Sequence, residues 1–138
     1  MKGIYASLFI ALLISLPALG EVRVKHLIAM DYPRVARWAG VQGNVELIAS
    51  VSPLGTVRDV RATSGSPFLI QPTKDVLKQW TFDGCESPQG CEIRIVFSFI
   101  LTEGPCVHSG TAPALSEFEA DLPEHVQIKA RVLCAIVD

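Results

Sequence analysis

The stretch Glu92-Ile93-Arg94-Ile95-Val96-Phe97-Ser98-Phe99-Ile100-Leu101 carries the strongest strand signal in this 138-residue chain. Ile93, Ile95, Phe97 and Phe99 recur at every second position, the period at which strand side chains share a face. Glu92, Arg94, Val96, Ser98 and Ile100 take the opposite face, which mixes polar and apolar residues. Upstream, Val45, Leu47, Ala49 and Val51 alternate in the same way with Asn44, Glu46, Ile48 and Ser50. Pro53-Leu54-Gly55 supplies a turn, because proline presets its φ and glycine accepts a positive one. Thr56 to Thr63 resumes extended spacing, so a hairpin is predicted, with a bulge where the alternation slips between Val57 and Val60.

Helical spacing brackets these strands. Asp31-Tyr32-Pro33 opens a short helix, since proline loses no hydrogen bond in a first turn. Val35, Ala36 and Trp38 are expected to face inward, Arg34 and Arg37 outward, and Gly40 to cap the C-terminus. Phe68 to Trp80 forms a second helix with Pro72 in its first turn and Leu69, Val76, Leu77 and Trp80 on one face. Glu21 to Met30 reads as an ordered lead-in with a short strand, and Thr102 to Ser116 as a loop. Val126, Ile128, Ala130 and Val132 mark a tail strand. The expectation is an α+β two-layer sandwich, an antiparallel sheet of about three to four strands with two helices on one face.

Residues 1–20 have the pattern of an export signal. Met1-Lys2 gives a positive start, Ile4 to Leu16 is uncharged and apolar, and Ala18 and Gly20 stand where a signal peptidase requires small residues. Cleavage before Glu21 is expected. If the segment were retained, it would anchor the domain at the inner membrane. The chain then divides into residues 1–20, a lead-in over 21–31, a domain over 32–101, and a disulfide-tied loop and tail over 102–138. Cys85, Cys91, Cys106 and Cys134 all follow the signal, as expected for disulfides in an oxidising compartment. Three pairings are open. Cys85 with Cys91 and Cys106 with Cys134 is favoured, the first stapling a short loop and the second tying down the tail.

Composition and spacing exclude several function classes. A net charge of −2 without a basic stripe argues against nucleic-acid binding. The cysteines contain no Cys-x-x-Cys pair for zinc or redox work, and His26, His108 and His125 are scattered. Ser64-Gly65-Ser66 lacks the Gly-x-Ser-x-Gly elbow of a hydrolase. Glu117, Glu119, Asp121 and Glu124 read as a solvated acidic loop rather than a calcium or carboxylate-pair site. No enzyme activity, metal or cofactor is expected.

Tyr32-Pro33, Ala36, Gly40, Gly43, Val45, Val51, Gly55, Val57, Ser64-Gly65, Val76 and Trp80-x-Phe82 follow one another in an order and spacing that resembles the TonB C-terminal domain family. The resemblance runs from Tyr32 to Leu101 and implies the family's role. That role is a periplasmic, protein-binding domain that docks on outer-membrane transporters and pairs with an extended segment of their N-terminal plug region. The implied mechanism is β-augmentation, in which an edge strand offers unpaired main-chain groups to a partner. The matching strand is Glu92 to Leu101, with Glu92, Arg94, Val96, Ser98 and Ile100 as the implied partner-binding residues; the equal alternative is that this strand is core, its edge covered by the tail strand that a Cys106–Cys134 disulfide would hold against it. An open edge would also permit pairing with a second copy. In the family, a full transducer carries an anchor and a long Pro-rich spacer. Here about a dozen residues, a reach of roughly 40 Å, separate Gly20 from Tyr32, and none is proline. The expectation is therefore a soluble adaptor, or a binding module detached from the energy source. The alternative is a secreted, disulfide-stabilised structural or inhibitory protein unrelated to transport.

Overall fold

The computed structural model describes residues 21–108, 116–121 and 124–134, and the segment 1–20, expected to be an export signal, lies outside this set. At its centre, strand β2 (Gly43–Val51) pairs antiparallel with β3 (Val57–Ser64) on one side and β5 (Cys91–Val107) on the other. Val45, Leu47, Ala49 and Val51 are buried, as their alternation predicts. The hairpin turn closes through Ser52 N–H to Thr56 O at 2.8 Å and Gly55 N–H to Ser52 O at 2.9 Å. Gly55 adopts a φ of 88°, and a Cβ there would collide with the Phe82 carbonyl. Between β2 and β3, Val51 faces Val57 but Ser50 faces Asp59, so Arg58 is the extra residue of a bulge. That is the slip visible in the sequence.

Two helices pack on one face of this sheet. In α1 (Arg34–Ala39) only Ala36 and Arg37 are buried, and Gly40 caps the helix in the left-handed conformation. Val35 and Trp38, expected inside, are 56% and 49% exposed. A six-residue helix turns only one narrow stripe inward, and Tyr32 and Met30 fill the space beside Ala36 instead. Helix α2 (Pro67–Leu77) buries Leu69, Thr73 and Leu77. It begins at Pro67, one residue before the expected start, so Pro72 lies inside the helix and not in its first turn, and it ends at Leu77, short of the expected Trp80. The chain then enters Trp80 and Phe82, both buried, with Trp80 5.8 Å from Phe97 between ring centroids. The Trp80 indole N–H donates to Ile28 O at 3.0 Å, which ties the lead-in to the core. There, β1 (Arg23–His26) pairs with β4 (Thr81–Asp83) in a small separate ribbon.

The main sheet is larger than expected and mixed. Its order is β3-β2-β5-β7-β6, where β6 spans Glu117–Asp121 and β7 His125–Leu133. Strand β5 runs on to Val107, so the loop expected from Thr102 starts six residues later. The acidic stretch is a strand, not a loop. Phe118 and Ala120 turn toward the core, while Glu117, Glu119 and Asp121 remain exposed. In β7 the inward residues are Val126, Ile128, Ala130 and Leu133. The register breaks after Arg131, so Leu133 is buried and Val132 is turned outward. Both favoured disulfides are present, Cys85–Cys91 and Cys106–Cys134, with Cα separations of 5.4 and 4.9 Å.

Candidate partner-binding surface

The strand expected to offer a free edge is an interior strand over most of its length. One side of β5 pairs with β2 from Cys91 to Phe99. The other side pairs in parallel with β7, from Val96 opposite His125 to Thr102 opposite Arg131. Val96, Ser98 and Ile100 are therefore not edge residues. The tail supplies the strand that fills their edge: β7 lies between β5, with which it runs parallel, and β6, with which it runs antiparallel.

Packing as well as covalent linkage fixes β7 there. Full burial contributes about 1.5–3 kcal/mol per large apolar side chain, so Val126, Ile128 and Leu133 together contribute roughly 5–9 kcal/mol. The 28-residue separation of Cys106 and Cys134 corresponds to ~3.6 kcal/mol of loop-closure entropy. Burial thus outweighs the disulfide. Polar contacts add direction. Arg37 Nε–H donates to Arg131 O at 2.9 Å, the Thr102 hydroxyl to Ala130 O at 3.3 Å, and Tyr32 N–H to the Ser116 hydroxyl at 2.7 Å. Arg37, expected on the outer side of α1, is instead buried against β7, and desolvation lowers its pKa. A lone arginine in a helical pattern gave no sign that a later strand would need its guanidinium.

The mixed face of β5 looks away from the helices. Ser98 is buried there, and its hydroxyl donates to Asn44 Oδ1 and meets His125 Nε2, both at 2.8 Å. Arg94 reaches Glu46 at 3.5 Å and Glu92 reaches Arg61 at 3.7 Å, both in exposed pairs of little energetic weight. Val96 and Ile100 are half-buried.

One part of the β5 edge has no strand beside it among the described residues. Strand β7 begins at His125, opposite Val96, so no described strand pairs with Cys91–Ile95 on that side. The Val96 N–H points toward β7, donating to Glu124 O at 2.8 Å. Main-chain groups of alternate residues share an edge, so Glu92 and Arg94 direct theirs to the same, unfilled side. A groove of about 470 Å³ lies there, lined by Val22, Ile93 and Val96 and by Glu21, Glu92, Arg94 and Glu124. The two outermost strands are less inviting. Both β3 and β6 carry exposed charges, such as Asp59 and Arg61 or Glu117 and Glu119, which discourage edge pairing. Among the described residues there is no cluster that could hold a metal ion, and no helix is long and apolar enough to cross a membrane.

The fold is a mixed five-stranded sheet with helices on one face and, among the described residues, an inner strand paired on one side only over Cys91–Ile95. The Gram-negative bacterial TonB protein C-terminal family matches residues 28–101, and the chain belongs to that family. The match ends inside β5, so the end of that strand and all of β6 and β7 lie beyond it. Among individually characterised proteins, none matches the chain. Membership makes this a TonB-like protein linked to transport and supports a protein partner in general; the family is typically periplasmic.

Proposed function

We propose that the protein is a periplasmic binding module that serves TonB-dependent transport at the outer membrane by adding an extended segment of its partner to β5. The observation that carries this reading is β7 itself. A strand from outside the family-matched span is already seated on β5, aligned over seven consecutive residue pairs from Val96–His125 to Thr102–Arg131. This edge therefore suits strand addition, and Cys91–Ile95 is the portion left for a second chain. The module acts without chemistry of its own, and its affinity comes from main-chain hydrogen bonds.

The test is a pull-down from outer-membrane fractions with the full, oxidised chain, the captured proteins being identified by mass spectrometry. Arg94→Pro is the control, because it removes a donor on the open side while leaving the β7 pairing intact. Val96→Pro is unsuitable, since it would break the Val96–Glu124 bond. Capture of an outer-membrane transporter by the unmodified chain, lost in a still-folded Arg94→Pro variant, is the expected result. Equal capture by both, or capture of no transporter, overturns the reading.

A further inference from the structure

We infer that the open Cys91–Ile95 edge is a short slot for an extended segment rich in lysine or arginine, and this rests on the strand-addition reading above. The slot has a fixed length. Strand β7 blocks it at His125, and with β5 rising about 3.3 Å per residue it holds a strand of about four residues. Glu92 and Arg94 offer the incoming chain up to one N–H and one C=O each. Main-chain bonding of this kind is blind to sequence, so selectivity must come from the walls.

Those walls carry opposite chemistry on the two faces of the slot. Ile93 points to the helix side of the sheet, and with Val22 it forms an apolar floor. Glu92, Arg94 and Val96 point to the other side, and Glu124 closes that end at the turn into β7. Three carboxylates, Glu21, Glu92 and Glu124, border the groove, against one cation, Arg94. Arg94 and Glu92 each keep only a weak pair, with Glu46 at 3.5 Å and Arg61 at 3.7 Å, so the three carboxylates outnumber the one cation in the field that an incoming chain meets. Glu124 and Glu21 have no ion pair among the described residues, while Glu92 is shared with Arg61 only across 3.7 Å in solvent. An entering strand that alternates apolar and basic residues sets the first against Val22 and Ile93 and the second against Glu92 and Glu124. An acidic strand meets like charge at each of these points. Longer segments stop at His125 unless they displace β7, whose buried side chains resist it.

The test uses the full, oxidised chain and two capped six-residue peptides of identical apolar content, one alternating valine with lysine and the other valine with glutamate. Fluorescence anisotropy is expected to show at least tenfold tighter binding of the lysine peptide, with affinity falling as salt rises. The double variant Glu92→Lys/Glu124→Lys, both positions exposed and so compatible with folding, should reverse the preference. Equal binding of the two peptides, binding of neither, or an unchanged preference in the double variant overturns the inference. The two proposals fail separately. A transporter captured through β5 without selectivity for lysine leaves strand addition standing and removes the slot's charge preference. Selective lysine-peptide binding without transporter capture leaves the slot and removes the link to transport.

Discussion

Replacing both Cys106 and Cys134 with alanine asks whether packing or the covalent bond holds the tail on β5. The bond closes a loop over a sequence separation of 28, and opening it should cost ~3.6 kcal/mol through the unfolded chain. Against this stand Val126, Ile128 and Leu133, at 0%, 0% and 4% exposure, whose burial contributes roughly 5–9 kcal/mol. The β5–β7 ladder and the Arg37 and Thr102 bonds to β7 carbonyls also survive the substitution. The double variant should therefore lose about 3.6 kcal/mol in urea unfolding yet keep β7 docked. Amide hydrogen exchange followed by mass spectrometry distinguishes the outcomes. Peptides covering 125–133 should remain protected, to a lesser degree than those of β2. If those peptides exchange freely while 43–51 stays protected, the disulfide holds the strand and the packing argument fails. In that case, reduction alone would open the whole β5 edge to a partner.

Three further outcomes follow from particular side chains. Burial raises the Tyr32 pKa from 10.0 to about 12, with Arg37 acting weakly in the opposite sense. A raised phenol favours the neutral form in the fold, so this contribution is complete below pH 10 and is lost between pH 10 and about 12. Tyr32→Phe should flatten the fall of urea stability in that window, while costing about 1 kcal/mol at neutral pH through loss of the bond to Val41 O; an unchanged alkaline profile refutes the assignment. Gly55→Ala should destabilise by roughly 2–4 kcal/mol, since a side chain at its φ of 88° is strained and meets the Phe82 carbonyl. A thermal shift no larger than that of a surface substitution would sink this account of the turn. The two tryptophans should separate sharply: Trp80→Ala is expected to cost about 3–5 kcal/mol and Trp38→Ala less than about 1, and similar losses would contradict their burial.

Much of the fold was legible because the signals were local. The alternation from Asn44 to Val51 and from Glu92 to Leu101, the Pro53-Leu54-Gly55 turn, the slip between Val57 and Val60 and the Gly40 cap each depend on near neighbours and period alone. The family resemblance rested on the same local features, and the match over 28–101 agrees with it. Trp38 was misplaced because apolar character says nothing of which stripe a six-residue helix turns inward. Arg37 was misplaced because its role depends on a carbonyl 94 residues away.

Sequence by itself determined the α+β class, the presence of an even set of cysteines suited to disulfides, the family and the strand on which the proposed binding site lies. Only the tertiary structure decided which part of that strand is open. Parallel pairing of β5 with β7 is non-local, and its register is set by the burial of Val126, Ile128 and Leu133 and the reach of Arg37 to Arg131. Those contacts cover Val96, Ser98 and Ile100 and stop at His125, leaving Glu92 and Arg94 on the edge. Strand periodicity specifies which face a residue occupies but carries no information about which strand lies beside it.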